Sequence, residues 1–494
     1  MRRILIRSGI SPLDNFDAAH MILKNSIGGN VGNLVYAYSV YRTLMTKNTV
    51  ITPDYYKIDH TKADEINKKY DCYIIPLADA FRKDFVPNLR KYTKLIKKLK
   101  IPVIVIGAGL RAPFEPNLKE GFSFDEDVKA FVKAVLEKSS IIGLRGQITS
   151  DYLTRLGFKE GVDHTVIGCP SMYAFGRELN IRKTKITKNS LVSVNSSKLS
   201  PKNVLDFITR GMEEYPNHYF IPQWMKEFKL TYLGHPSIDD KVVHNYPTKM
   251  SDAIYQEDRV RYFLSAPKWI EFLKQVDLSF GARLHGNITA TIAGTPSILI
   301  TKDARMRELA EYHQLTSITK DDIKENTKLS DVIQQVDFHR PEKRQAENFD
   351  HYIDFLNKNN LDHIYKKKMK PKQVPLDKEL KKIKLREPIK TISGISTKEM
   401  AERWEAYYPS VAKKEAAAKK KQKETLAKKD KEIKTQKDKI AELEKRLEHT
   451  MKDSEGTLPV SDETILDYQK LLIAKDKIIT AQQEQLQHNK RNKQ

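Results

Sequence analysis

Cysteine is almost absent from this 494-residue chain, with only Cys72 and Cys169 present. Two thiols cannot build a disulfide framework, and neither has the Cys-x-x-Cys partner that a structural zinc site needs. That usage fits a reducing, cytoplasmic setting. Long apolar runs are also missing. No stretch approaches the roughly 20 apolar residues of a membrane span, and the short apolar start MRRILIRSGI is interrupted by Arg7, so neither a transmembrane helix nor a Sec signal is expected. No cluster of His, Asp and Glu has metal-ligand spacing, and neither a metal nor another cofactor is expected.

Acidic residues are in the minority: 64 Asp and Glu face 87 Lys and Arg, for a net charge of +23. The excess is uneven, because residues 1–360 carry 53 basic against 42 acidic side chains and residues 361–494 carry 34 against 22. Half of the net charge thus sits in the last quarter of the chain. Such a tail is attracted to polyanions, which admits an anionic membrane surface and nucleic acid alike. Nucleic acid is the weaker choice, since the lysines near 366–372 have no interleaved aromatics and no nucleic-acid module is evident. With 39% hydrophobic residues and a length beyond one ordinary domain, the chain reads as globular units with a polar tail.

Up to about Asn360, short apolar runs alternate with amphipathic stretches. RILIR at 3–7, CYIIPL at 72–77, IPVIVIGAG at 101–109, SIIGLR at 140–145 and TVIG at 165–168 read as buried parallel strands. Segments such as 89–99 and 124–139, with apolar residues three and four apart, read as crossover helices. A second series follows in SLVSVN at 190–195, HYFIPQ at 218–223, VDLSFGARL at 276–284 and PSILIT at 296–301. The expectation is an α/β fold with two sheets, an N-terminal domain over 1–180, a second over 181–360, and a ligand cleft at the strand ends. Residues 361–414 read as a basic linker. Beyond it, Leu426, Ile433, Ile440 and Leu447, then Ile465, Leu472, Ile479 and Leu486 after a break at Gly456 and Pro459, recur at seven-residue steps. Lys429 and Gln436 occupy alternate core positions, so 415–494 is expected to be a weak coiled coil that could self-associate, or a solvated helical tail.

The stretch DLSFGARLHGNITATIAGTPSILI, residues 277–300, is the most informative. It places Arg283 and His285 at a strand end and a helix start, where free N–H groups and the helix dipole favour an anion such as phosphate or carboxylate. Gly286 permits close backbone approach. An isolated Arg-x-His would more often be a core arginine beside a satisfied histidine; the strand-to-helix context favours the anion. Arg145 holds the corresponding strand-end position in the first series, with a structural salt bridge as its plainer reading. NSIGGNVGN at 25–33 is a glycine-rich entry to a helix, although it is neither Gly-x-Gly-x-x-Gly nor a Walker loop. Gln223 and Glu227 follow another strand end and could meet an acceptor, but a surface helix reads as well. Asp303, Arg305 and Arg307 follow the strand at 296–301, where a solvated helix start is the expectation. His164 and His235 are expected to be structural.

In combination, Gly-Asn-x-Gly-Asn at 29–33, LRG at 144–146 with IGCPS at 167–171, Pro-x-Trp-x-x-Phe-Leu at 267–273 and GARLHGNITATIAGTPSI resemble the polysaccharide pyruvyl transferase family over roughly residues 3–320. Asn33 stands where many members are acidic, and Cys169 where many have Asp. The resemblance implies a GT-B-like fold of two Rossmann-type domains, phosphoenolpyruvate as donor and a sugar of a cell-surface polysaccharide or glycolipid precursor, soluble or lipid-linked, as acceptor. A donor with a carboxylate and a phosphate needs several cations, which makes Arg283 and Arg145, with Gly286, the expected donor-binding residues, while Asn30, Asn33, Gln223, Glu227, Asp303 and Arg305 are weaker candidates for the acceptor or the cleft. His285 would be the general acid, its pKa raised by the donor dianion. Two other functions fit the same scaffold: a nucleotide-sugar glycosyltransferase, and a non-catalytic scaffold seated at the inner face of the membrane through the basic tail.

Overall fold

The computed structural model describes residues 1–239, 245–367 and 373–453, together with 466, 469, 470, 473 and 475. Met1–Tyr407 form one compact unit and Tyr408–Gln494 another. The first unit is α/β and is organised around two wholly parallel sheets. One has the order β2-β1-β3-β4, built from β1 (Arg2–Ile6), β2 (Thr49–Pro53), β3 (Cys72–Pro76) and β4 (Val103–Ile106). A short pair, β5 (Ile142–Leu144) and β6 (His164–Val166), continues from it through a parallel bridge between Ala108 and Leu144. The other sheet has the order β11-β10-β9-β7-β8, from β7 (Val192–Asn195), β8 (His218–Phe220), β9 (Leu278–Gly281), β10 (Ser297–Thr301) and β11 (Ser317–Thr319).

The apolar runs form the centres of these sheets because helices cover both faces. Every residue of β3, β4, β9 and β10 is buried. Tyr73, Ile75, Val103 and Val105 pack with Val128, Phe131, Val132 and Val135, which form the apolar stripe of the helix Asp125–Leu136. That helix begins with Asp125, Glu126 and Asp127, whose charges suit the positive end of its dipole. In the second sheet, Val194, Phe280 and Ile298 pack with Val204, Phe207 and Ile208 of the helix Lys202–Glu214. The edge strands β2 and β11 have no continuous apolar run; Val50, Ile51 and Thr52 of β2 and all of β11 are at least partly exposed, and periodicity alone did not mark them.

Within the stretch expected to be a basic linker, 361–414, residues 373–407 are packed against the rest of the first unit. Leu376 and Val374 are buried, Arg42 forms a two-pronged ion pair with Asp377 (2.7 and 3.0 Å), and Ile389 pairs with Tyr262 across an antiparallel bridge. Arg403 is buried and donates to the carbonyls of Tyr232 and Lys390. The sparse apolar residues of the stretch were spaced too irregularly to announce this packing, but Val374, Leu376 and Tyr407 are buried. The helix Thr397–Asp453 then runs for 57 residues. Along it Leu426, Lys429, Ile433, Gln436 and Ile440 are half-buried, while the residues between them from 427 to 439 are exposed. The surroundings of Leu447, and Gly456, Pro459, Ile465, Leu472, Ile479 and Leu486, lie outside the described residues. Among the described residues, no helix is long and apolar enough to cross a membrane.

Candidate active site at the strand ends

In an open parallel sheet the crevice for a ligand opens at the carboxyl ends, where the strand order reverses. In the second sheet that point lies between β7 and β9, and Asn195 and Arg283 emerge there. Asn195 Oδ1 accepts from the backbone N–H of Arg283 (2.8 Å), and Arg283 Nε donates to the carbonyl of Ser196 (2.9 Å). The guanidinium lies 3.9 Å from the centre of the Trp224 ring and 3.8 Å from the carboxylate of Glu227. Arg283 is only 9% exposed, and burial lowers its pKa against the opposing pull of Glu227.

His285 sits in the first turn of the helix Leu284–Ile292, for which Arg283 is the N-cap residue. Gly32, at the start of the helix Gly32–Leu44, is needed here because a Cβ on it would fall 2.8 Å from the His285 ring. A Cβ on Gly286 would come equally close to the side chains of Asn195 and Gln223, at 2.7–2.9 Å. Cys169 Sγ lies 3.9 Å from His285 Nε2. Arg145 is 1% exposed; its Nε donates to the Gly107 carbonyl (3.1 Å), and its guanidinium lies 5.4 Å from the Tyr36 ring centre. Burial, followed by the charges of Arg145 and Arg305, pushes the His285 pKa down to about 3. The protein's own charges therefore favour the neutral imidazole: two arginines act on it and only Asp79 opposes them, whereas the expected charged form concerned the ring beside a donor dianion.

Asp79, which follows β3, ties the two sheets together. It pairs with Arg305 (2.8 Å), which also pairs with Asp303 (3.1 Å), the N-cap of the helix Ala304–Tyr312. Burial raises the Asp79 pKa, but Arg305, Arg82 and Arg145 outweigh it and hold the carboxylate at about 2. Arg305 and Asp303 thus form a partly buried ion-pair network, not the solvated helix start that was expected. Nearby Glu308 is buried against Gly146 and accepts from the backbone N–H and hydroxyl of Thr149, while burial lifts its pKa to about 7. Lys302, the residue after β10, donates to Ser200 Oγ (2.7 Å).

The acceptor-side candidates divide. Gln223 and Glu227 are buried and do not lie on a surface helix. Glu227 accepts from the N–H groups of Gln223 (2.7 Å) and Trp224 (2.8 Å) and from the Tyr246 hydroxyl, capping the helix Met225–Leu233. Asn30 and Asn33 fasten the glycine-rich loop: Asn30 Oδ1 accepts from Gly32 N (2.8 Å), Asn33 Nδ2 donates to Ile27 O (2.9 Å), and Asn30 bridges to Trp224. Arg307 pairs with Glu311 outside the cluster (2.9 Å). His164 is buried against Ser150 (3.3 Å). Sequence reading missed Asp79, Lys302, Ser196 and Trp224. Lys302 and Ser196 directly follow strands β10 and β7, the same positional signal that singled out Arg283.

Five polar atoms at these strand ends are buried with no hydrogen-bond partner: Arg283 Nη2, Arg145 Nη2, Arg305 Nε, Ser196 Oγ and Gln223 Nε2. A buried donor left unmade costs about 1–3 kcal/mol, and an oxyanion is the kind of group that accepts from several guanidinium donors at once. No group of three or more metal-ligating side chains occurs among the described residues.

Among solved structures, the UDP-GlcNAc 2-epimerase of Neisseria meningitidis is 11% identical, with 73% of this chain and 100% of that one covered at a TM-score of 0.39. The corresponding enzyme of Methanocaldococcus jannaschii is 14% identical, covering 72% and 99% at a TM-score of 0.39. A functionally uncharacterised Klebsiella pneumoniae protein is 12% identical, covering 64% and 92% at a TM-score of 0.36. No curated protein matches the chain in sequence. The family model for polysaccharide pyruvyl transferase matches residues 30–303, which include Arg145, Arg283, His285 and Lys302. On that match, the chain belongs to the polysaccharide pyruvyl transferase family.

Proposed function

We propose that the protein transfers a pyruvyl group from phosphoenolpyruvate to two hydroxyls of a sugar in a cell-surface polysaccharide or glycolipid precursor, forming a ketal. The observation that carries this reading is the set of buried, unpartnered donors on Arg283, Arg145 and Arg305 at the ends of two sheets. A ligand with both a phosphate and a carboxylate suits them, because the guanidinium fork binds such oxyanions in pairs. In the reaction, a proton adds to the methylene carbon as the C2=C3 π bond opens. One sugar oxygen bonds to C2 and gives up its proton, replacing the one consumed. The C2–O bond to phosphate breaks, the second sugar oxygen closes the ring, and its proton leaves with phosphate. Neutral His285 acts first as a hydrogen-bond partner for the donor, and the phosphate then draws it towards its charged form.

Thermal stabilisation by phosphoenolpyruvate, measured beside a panel of nucleotide sugars, tests the reading. The expected result is a rise in melting temperature with phosphoenolpyruvate that disappears in Arg283→Ala. A rise with a nucleotide sugar alone would replace pyruvyl transfer by glycosyl transfer.

A further inference from the structure

Tyr36 has no role in the reading above, yet it meets two of the groups that the reading uses, Arg145 and His285. It lies one turn after Gly32 in the helix Gly32–Leu44 and is buried. The Arg145 guanidinium lies over its ring, 5.4 Å from the centre. The His285 ring centre is 6.2 Å away, with the two rings standing at 83° to each other. The Tyr36 hydroxyl donates to the carbonyl of Ile106, the last residue of β4, at 2.8 Å. The next residue, Gly107, has a φ of +67°, and a Cβ on it would collide with that hydroxyl. The Gly107 carbonyl in turn accepts from Arg145 Nε (3.1 Å). Phenol, backbone and guanidinium therefore form a closed circuit, with the imidazole against the same phenol ring.

Arg283 is held in the same manner. Its Nε donates to the Ser196 carbonyl (2.9 Å), its guanidinium lies over the Trp224 ring at 3.9 Å, and its Nη2 is buried without a partner, as is Nη2 of Arg145. In both arginines Nε is tied to a carbonyl and the plane to an aromatic face, while one buried donor is left over. Tyr36 differs from Trp224 in that its ring also meets His285.

We propose that Tyr36 is a positioning residue that fixes the Arg145 guanidinium and the His285 imidazole in one geometry, so that an anion held by the arginine is presented to the histidine. This inference rests on the phosphoenolpyruvate reading of the site. Its physical cause is the freedom of an arginine side chain, whose several rotatable bonds must be frozen when the head binds an oxyanion. The ring face attracts the cation, and the Gly107 carbonyl orients it, before any ligand arrives. Because the same ring bounds His285, a change in the phenol moves both groups.

Calorimetric titration of the full-length protein with phosphoenolpyruvate, for the wild type, Tyr36→Leu, Arg145→Lys and the double variant, tests the inference. Tyr36→Leu keeps apolar bulk but no ring face, and should weaken binding about 10-fold. Arg145→Lys keeps the charge but not the planar fork that lies on the ring, so in that background Tyr36→Leu should weaken binding less than about 2-fold. A merely structural effect would be the same in both backgrounds. Tyr36→Phe retains the ring and should restore binding to within about 3-fold of the wild type. In protein labelled at histidine, the His285 ring signal should respond to saturating phosphoenolpyruvate in the wild type and in Tyr36→Phe, and lose that response in Tyr36→Leu. Four results overturn the role of Tyr36 and leave the donor reading standing: unchanged binding by Tyr36→Leu, equal weakening in both backgrounds, no rescue by Tyr36→Phe, or an intact His285 response in Tyr36→Leu. Failure of the wild-type protein to bind phosphoenolpyruvate overturns the donor reading, and this inference with it. Melting curves identify a Tyr36→Leu protein that has not folded, and Tyr36→Met, whose unbranched side chain adapts to irregular gaps, then takes its place in the cycle.

Discussion

The neutrality of His285 can be tested through its titration, with and without ligand. In the free protein the imidazole is held at about 3 by burial and by Arg145 and Arg305. Bringing it to about 7 requires roughly 5 kcal/mol, at 1.36 kcal/mol for each tenfold change in proton affinity. A dianion about 5 Å from the ring, at an effective dielectric of about 20, supplies about 7 kcal/mol, whereas a single negative charge there supplies about 3. A phosphate is therefore sufficient and a carboxylate alone is not. The measurement is a pH titration of the ring carbon signals in protein labelled at histidine, with His285 assigned from the spectrum of His285→Gln. Without ligand the His285 signal should stay at its neutral position from pH 8 down to pH 5. With phosphoenolpyruvate it should titrate near neutrality, and with pyruvate it should not. Linkage fixes the accompanying sign: a depressed folded pKa means stability that is present above the unfolded value of about 6.5 and is lost as pH falls towards 3. A free-protein titration near 6.5 would refute the electrostatic account of this site.

Other consequences follow from the packing. Gly32→Ala places a methyl group 2.8 Å from the His285 ring and should displace it, lowering kcat/KM by about 100-fold while the far-ultraviolet circular dichroism is unchanged. Asp377→Ala leaves the buried Arg42 guanidinium without its carboxylate. Because Asp377 is itself 28% exposed, the loss should be about 2 kcal/mol, below the range for a fully buried pair, read by urea denaturation. Removing residues 408–494 should leave the melting temperature of the remaining unit unchanged while weakening its binding to anionic liposomes, since residues 413–446 carry 14 basic against 7 acidic side chains. A cut at 366 would instead remove Leu376, Asp377 and Arg403 and destabilise the fold. Equal liposome binding by the full-length and shortened proteins would eliminate the tail as a membrane contact.

The sequence by itself determined the α/β class, the positions of the central strands and the strand-to-helix junction that carries Arg283 and His285. Buried parallel strands must be continuously apolar, and glycine must stand where backbones meet side chains, so β3, β4, β9 and β10 and the approach at Gly286 were legible from local pattern. Edge strands β2 and β11, half-exposed, left no such pattern. What only the tertiary structure decided was the set of charges that share one low-dielectric space. Asp79 and Arg305 are 226 residues apart in the chain and 2.8 Å apart in the fold. Glu308 and Thr149 meet across 159 residues. The protonation states of His285, Lys302 and Glu308 follow from burial and from such neighbours, and neither quantity is a property of nearby sequence. For the same reason residues 373–407, polar on average, proved to be fastened through a few seated side chains: composition reports the mean of a segment, whereas packing is settled by individual residues such as Leu376 and Arg403.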